Sequence, residues 1–276
     1  MEKLKINYHI TENCNFNCKF CFAKYADKTL KLENQKLVIE KIADSMLFDA
    51  INFAGGEPLL DKNIVEHIQC SSRLGLKPSL ITNGFLLDSQ TLQQILPYLT
   101  MIGISVHTFD NEPKRKIGSC TSSGEVLENQ RLVEICNMVR SYNSQTRKKC
   151  KIKINTVICS ENKQEILKKN IEPLQIDRWK CLRCQEFCKN QNYLVNDTEY
   201  KAFAQRNTLE TETVEQVFED DMKDTYIMIN PEGKLLREGA DNRSYDEIGS
   251  VLEKDISDLL NVLPLKKRKY FERYKQ

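Results

Sequence analysis

Three cysteines, Cys14, Cys18 and Cys21, stand in a C-x3-C-x2-C pattern within one short stretch. Thiolates at such spacing suit zinc or an iron–sulfur cluster. Structural zinc takes four ligands, and no fourth lies in local reach. An iron–sulfur cluster held by three thiolates leaves one iron open, where a substrate can bind. A second string, Gly55-Gly56-Glu57-Pro58, follows one repeat later. Its glycines let a ligand approach the backbone, and Glu57 offers an anionic acceptor for an ammonium group. A further group, Cys181, Cys184 and Cys188, reads C-x2-C-x3-C and could hold an auxiliary iron–sulfur cluster. If the preceding strand continued through it, alternation would put Cys181 and Cys184 on different faces, which argues against shared ligation. Cys70, Cys120, Cys136, Cys150 and Cys159 are scattered and read as small buried hydrophobes.

The elements that must position these groups alternate between β and α patterns. Strands are predicted at Leu4–Ile10, Ala50–Ala54, Lys77–Thr82, Met101–Val106, Ile152–Ile158 and Ile176–Cys181. Helices are predicted at Lys36–Phe48, Asn63–Arg73, Ser89–Leu96, within Gly124–Tyr142, and at Lys163–Lys169. About six β-α repeats imply a parallel sheet with its functional loops at the C-terminal strand ends, where most of these motifs fall. The count is too small for a closed eight-stranded barrel; an open, partial barrel fits better than a doubly wound sheet. Beyond about residue 196 the pattern changes to a polar helix at Asp197–Arg206, an acidic stretch at Thr208–Asp224, a hairpin turning at Asn230-Pro231-Glu232-Gly233, a short helix at Ile256–Val262 and a basic tail. The tail reads either as a solvated, frayed terminus or as a flap.

Composition limits the function classes. The 276 residues are 40% apolar and 29% charged, enough apolar content for a sizeable core. A net charge of +2 gives no global field for nucleic acid or an anionic membrane. No apolar stretch approaches a bilayer-spanning length, and the first residues carry no signal-peptide run. A cytoplasmic location is expected, where eleven cysteines would not form a disulfide framework. Cations gather on two strand faces: Lys151, Lys153 and Asn155 share one by alternation, and Arg178 and Lys180 share another. Such walls suit a polyanion, Arg by bidentate contact and Lys as a point charge.

The cysteine spacing, with Phe20 just before the last thiol, resembles the signature of radical S-adenosylmethionine (SAM) enzymes. Longer strings narrow the likeness: Asn7-Tyr8-His9-Ile10, Asn52-Phe53-Ala54-Gly55-Gly56-Glu57-Pro58, Thr82-Asn83-Gly84, Ile104-Ser105 with Phe109-Asp110, Lys153-Ile154-Asn155-Thr156, Arg178-Trp179-Lys180 and Met222-Lys223-Asp224-Thr225-Tyr226. Together they resemble the viperin family of antiviral radical SAM nucleotide dehydratases, from about Lys5 to the C-terminus. The resemblance implies an α/β fold, a partial (βα)6 TIM-like barrel over residues 1–196. A C-terminal extension over residues 197–276 would close its mouth. It implies a [4Fe–4S] cluster on Cys14, Cys18 and Cys21, and S-adenosylmethionine held by Phe20, Gly55, Gly56, Glu57, Asn83 and Ser105. A ribonucleoside triphosphate would meet Asn7, Lys153, Asn155, Arg178, Lys180 and Tyr226, with Tyr226 and Lys153 catalytic and Tyr226 a hydrogen or proton donor. The implied product is the 3′-deoxy-3′,4′-didehydro nucleotide of CTP, UTP or GTP, a chain terminator.

The chain departs from the family at four places. Ile117-Gly118-Ser119-Cys120 stands where viperins resemble one another in Ile-Gly-Arg-Gly, leaving Arg115 as the substitute cation. Ala50 replaces a common lysine, and the amphipathic helix and C-terminal tryptophan of animal viperins are missing, as in a soluble microbial form. A monomer served by a transient electron donor, a flavodoxin or reductase, is expected, with no nucleic-acid or membrane partner. Two other readings stand beside this one: a peptide-modifying radical SAM maturase with an auxiliary cluster at Cys181, Cys184 and Cys188, and a non-catalytic metal-binding or redox-sensing module.

Overall fold

A computed structural model describes residues 3–23, 28–186, 191–219, 224–239 and 244–274. In chain order these form β1 (Leu4–Thr11), α1 (Leu32–Asp44), β2 (Phe48–Gly55), α2 (Ile64–Arg73), β3 (Lys77–Thr82), α3 (Ser89–Ile95), β4 (Met101–Ser105), α4 (Asn111–Lys116), α5 (Asn129–Gln145), β5 (Lys151–Ile158), α6 (Lys168–Ile171), β6 (Arg178–Arg183), α7 (Asp197–Asn207), β7 (Glu215–Glu219), β8 (Met228–Ile229), β9 (Lys234–Glu238), β10 (Tyr245–Ser250), α8 (Ile256–Asn261) and α9 (Lys267–Tyr274). All six predicted strands are present. The acidic stretch after α7 contains β7, whose Glu215-Gln216-Val217-Phe218-Glu219 carries no apolar/polar alternation to announce it. The expected helix at Lys163–Lys169 shrinks to the four residues of α6.

The chain divides into two compact units, one of residues 1–14, 22–80 and 222–276, the other of residues 15–21 and 81–221. In the first, the strand order is β10-β9-β8-β1-β2-β3. β1 runs parallel to β2 and β8, while β8-β9 and β9-β10 are antiparallel. Ile6, Tyr8 and Ile10 alternate on one face of β1 and are fully buried, as are Ile51 and Phe53 of β2 and Val38, Ile39 and Ile42 of α1. Parallel strands buried on both faces read as such apolar runs, and each large side chain contributes about 1.5–3 kcal/mol.

The second unit orders its strands β4-β5-β6-β7, all parallel. Ile102 and Ile104, Ile154 and Ile158, and Trp179 and Cys181 bury one face of these strands. The Trp179 indole N–H donates to Thr156 Oγ1 at 3.0 Å, and that hydroxyl donates to the Val106 carbonyl at 2.7 Å. The largest core side chain thus brings no unsatisfied donor inside. Asn196 caps α7 reciprocally with Glu199, a capping box that fixes where the helix starts.

The basic tail forms α9. Tyr270, 1% exposed, accepts from the Lys5 N–H at 2.5 Å and donates to the Lys5 carbonyl at 2.7 Å. The anchor therefore lies at the N-terminal end of β1, and Thr11 ends that strand roughly 20 Å further along. Replacing Tyr270 by phenylalanine removes both bonds and should cost about 1–3 kcal/mol. Thermal unfolding should show a fall of about 2–4 °C per kcal/mol, and an unchanged midpoint would refute the anchor.

Candidate functional site

Each unit carries part of the predicted site. In the first, β1 ends at Thr11 and leads to Cys14, an exposed thiol. The glycines of β2 lie directly against this stretch. A Cβ on Gly55, whose φ is +137°, would stand 2.2 Å from the Thr11 carbonyl oxygen. One on Gly56 would stand 2.3 Å from the Asn13 carbonyl and 2.4 Å from that of Glu12. The Gly56 and Glu57 N–H groups donate to the Thr11 and Asn13 carbonyls at 2.7 and 2.8 Å. Glu57 is fully buried, and its carboxylate accepts from the Leu59 N–H at 3.0 Å. Any side chain at these glycines would push the backbone that leads to Cys14 aside.

Asn7 shares a face of β1 with His9 and Thr11. It is buried and belongs to a polar chain that crosses β3, β2 and β1: Ser79 Oγ donates to Asn52 Oδ1 at 2.8 Å, Asn52 Nδ2 to Asn7 Oδ1 at 3.0 Å, and Asn7 Nδ2 to the Ile227 carbonyl at 3.2 Å. Asn7 thereby fixes the backbone beside half-buried Tyr226, which lines a small cavity with Met228, Tyr245 and Leu263. Burial pushes the His9 imidazole down to about 4, so it is neutral at physiological pH.

In the second unit the half-buried Cys18 and Cys21 sit on a loop tied to the turn after α4. Asn17 N–H donates to the Gly118 carbonyl at 3.0 Å and Lys19 N–H to the Ile117 carbonyl at 2.9 Å. Gly118 has φ +75°, and a Cβ there would lie 2.1 Å from the Asn17 carbonyl oxygen. Ile-Gly, the half of the family string that this chain keeps, is therefore the half that carries the cysteine loop. Arg115 directs its Nε to the Gly124 carbonyl at 2.9 Å. Phe20 packs edge-on against His107, with ring centroids 4.8 Å apart at 81°, in a buried group with Ile117, Cys159 and Cys184. Burial lowers the His107 pKa to about 4, and its Nδ1 accepts from the Val157 N–H at 3.0 Å. Sequence reasoning did not single out His107 or Gly118.

Asn83 follows β3 with an Asx turn. Its Oδ1 accepts from Phe85 N–H at 3.0 Å, while its Nδ2 donates to Asn15 Oδ1 at 2.8 Å, within the cysteine loop. Ser105 ends β4, half-buried, beside a small cavity lined by His107, Lys114 and Ser119. The cationic wall forms as alternation predicts. Lys153 pairs in register with Arg178, and Asn155 with Lys180. Asn155 and Lys180 are buried. The structure adds two carboxylates that sequence reasoning missed: Glu215 meets Arg178 at 3.2 Å and Glu219 meets Lys180 at 2.5 Å.

Among the described residues no three His, Cys, Asp or Glu side chains are gathered as a metal-binding group. A metal commonly draws such ligands together as it binds. The donor set nonetheless fits a [4Fe–4S] cluster, with three soft sulfur donors in one C-x3-C-x2-C stretch whose lead-in backbone is packed closely on Gly55 and Gly56. The second cysteine group fits less well. Cys181 lies within β6 and interacts with Gln216, whereas Cys184 lies beyond the strand in the Phe20 group. Burial raises both thiols, Cys184 to about 12, so neither is a ready thiolate. Cys188 and the Met222-Lys223 pair lie outside the described residues.

The sequence model of the Radical SAM superfamily matches residues 8–168. An S-adenosylmethionine-dependent nucleotide dehydratase of Selenomonas ruminantium is 33% identical over 98% of this chain and 98% of its own. One from Pseudoalteromonas ulvae is 30% identical over 99% of this chain and 94% of its own. Among solved structures, SuiB of Streptococcus suis bound to S-adenosylmethionine superposes with a TM-score of 0.69 at 18% identity. That match covers 97% of this chain and 68% of the SuiB chain, and shows the shared partial-barrel fold alone.

Proposed function

Because this chain belongs to the Radical SAM superfamily and, within it, to the S-adenosylmethionine-dependent nucleotide dehydratases, we propose that it removes water from a ribonucleoside triphosphate, CTP, UTP or GTP. The product would be the 3′-deoxy-3′,4′-didehydro nucleotide, whose missing 3′ hydroxyl stops any polymerase that incorporates it, an antiviral outcome. The observation that carries this reading is the cationic wall of Lys153, Arg178 and Lys180 across neighbouring strands. It suits a triphosphate, and family membership supplies the reaction.

The cofactors of the superfamily, a [4Fe–4S] cluster and S-adenosylmethionine, would supply a 5′-deoxyadenosyl radical, and on the dehydratase reading the hydrogen taken would be that of the ribose 4′ carbon. Cys14, Cys18 and Cys21 would hold the cluster, and Glu57 would accept from the methionyl ammonium at the Gly55-Gly56 backbone. Phe20, Asn83 and Ser105 would border the adenosyl group, the two polar side chains reaching ribose hydroxyls. Arg178 would grip phosphate oxygens bidentately, with Lys153 and Lys180 as point charges, while Asn155 and Asn7 orient the ribose. Tyr226 would return a hydrogen or proton, with Lys153 close to the departing hydroxyl. A flavodoxin or reductase would supply two electrons to a monomer, one for cleavage of S-adenosylmethionine and one, with a proton, as the 3′ hydroxyl leaves as water, and the site of action would be the cytoplasm. No helix among the described residues is long and apolar enough to cross a membrane.

The test is anaerobic reconstitution, addition of S-adenosylmethionine and dithionite, then each nucleoside triphosphate in turn. One nucleotide should yield a product lighter by one water, together with 5′-deoxyadenosine. Equal, slow 5′-deoxyadenosine with every nucleotide and no converted nucleotide would remove the substrate assignment. An iron content of about four per chain fits one cluster, and about eight would favour the peptide-modifying alternative, which the separated Cys181 and Cys184 make weaker.

A further inference from the structure

The acidic stretch after α7 is where the structure departs furthest from a plain substrate-binding wall. β7 runs parallel to β6, with Glu215 in register with Arg178 and Glu219 with Leu182. Glu215, Val217 and Glu219 alternate on one face of β7, and the two carboxylates meet the cations of β6. The Lys180–Glu219 pair is 2.5 Å long, with side chains only 5% and 12% exposed. The Arg178–Glu215 pair is 3.2 Å long and more open, at 16% and 50%. Two of the three cations assigned to the triphosphate thus already face an anion of their own unit.

An ammonium as buried as Lys180 is stabilised by an anion beside it. It cannot satisfy that anion and a phosphate equally, because carboxylate and phosphate repel each other in a weakly screened site. The pair lies on the face opposite Trp179 and Cys181, the face that also carries Lys153 and Asn155. Glu219 is the last residue of β7, and a side-chain rotation there leaves its backbone register with Leu182 intact.

We propose that Glu219 is an internal stand-in for phosphate, holding the Lys180 ammonium in place until a nucleotide arrives and then giving up its place to a phosphate oxygen. Glu215 does the same for Arg178, more weakly because its pair is open to solvent. The inference rests on the dehydratase reading. It makes β7 a determinant of nucleotide affinity, since each binding event includes an exchange of anions.

The sign of one measured change decides it. Calorimetry on the reconstituted, S-adenosylmethionine-loaded protein compares wild type, Glu219→Gln, Glu219→Asp and Glu215→Gln. Each is titrated with the nucleoside triphosphates and with inorganic tripolyphosphate. Glu219→Gln should bind both kinds of ligand about three- to thirtyfold more tightly, because the competitor has gone. Glu219→Asp should return toward wild type, and Glu215→Gln should shift the same way by less. The gain in melting temperature on adding nucleotide should also be larger in Glu219→Gln, which a merely structural pair would not produce. Unchanged or weaker binding by Glu219→Gln overturns the inference, as does unchanged or weaker binding by Glu215→Gln should Glu219→Gln fail to fold. A wild type that cleaves S-adenosylmethionine but binds no triphosphate overturns the dehydratase reading, and the inference with it.

Discussion

Exchanging Cys18 for alanine should reduce 5′-deoxyadenosine formation by more than about a hundredfold, since even outer-shell changes around a metal cost about 10–100-fold. The protein should still fold. Cys18 is half-buried, and the group it packs against keeps Phe20, Ile117, Cys159 and Cys184. Iron and sulfide per chain should fall with the activity, together with the visible absorption of the cluster. Cys184→Ala is the matched control, because that thiol is buried and its pKa is pushed up to about 12. It should keep its iron. A Cys18→Ala protein with full iron content would dismiss the thiol assignment, and a Cys184→Ala protein that lost iron would revive the auxiliary cluster.

Gly118→Ala should be nearly as damaging without touching a ligand. The new methyl would fall 2.1 Å from the Asn17 carbonyl oxygen, 2.8 Å from its carbon and 3.4 Å from Cys18 Cα, on a residue with φ +75°. Gly75 separates the two contributions, for it has φ +84° and nothing within 4 Å of where a methyl would stand. Gly75→Ala should cost about 1–2 kcal/mol, the left-handed backbone penalty alone. Gly118→Ala should cost more and also displace the loop that carries Cys18, so iron incorporation should drop sharply. Melting curves and iron content of the two variants give the comparison. Equal losses in both, with full iron in Gly118→Ala, would mean that the loop does not depend on this contact.

The strands and their end-of-strand motifs were legible because each combines an apolar run with punctuation: Ile51–Ala54 before Gly55-Gly56, Lys77–Thr82 before Asn83-Gly84. Helix ends were less so. α1 stops at Asp44, and Phe48, where the periodicity would end it, opens β2 instead, since Phe suits either period. β7 escaped because Glu215 and Glu219 are poor strand formers, and both its register on β6 and its contacts with the cations there are tertiary. In the site, residue types were readable but their neighbours were not. Nothing local in Ile117-Gly118 says that it meets Asn17 and Lys19 about a hundred residues earlier, and nothing near Lys180 announces Glu219. Such pairings depend on tertiary structure.

The Ser79–Asn52–Asn7 chain has an evolutionary consequence. Each side chain satisfies the next, and the last one holds the Ile227 carbonyl. Replacing Asn52 alone by leucine would take the nearer acceptor from Ser79, leaving it the Ile51 carbonyl at 3.4 Å, and a donor from Asn7, while joint replacement by apolar residues of matching volume would remove these polar groups together. Single steps away from this trio pass through a less stable protein. The three positions should therefore drift together or not at all, and lineages that abandon one should have abandoned the others.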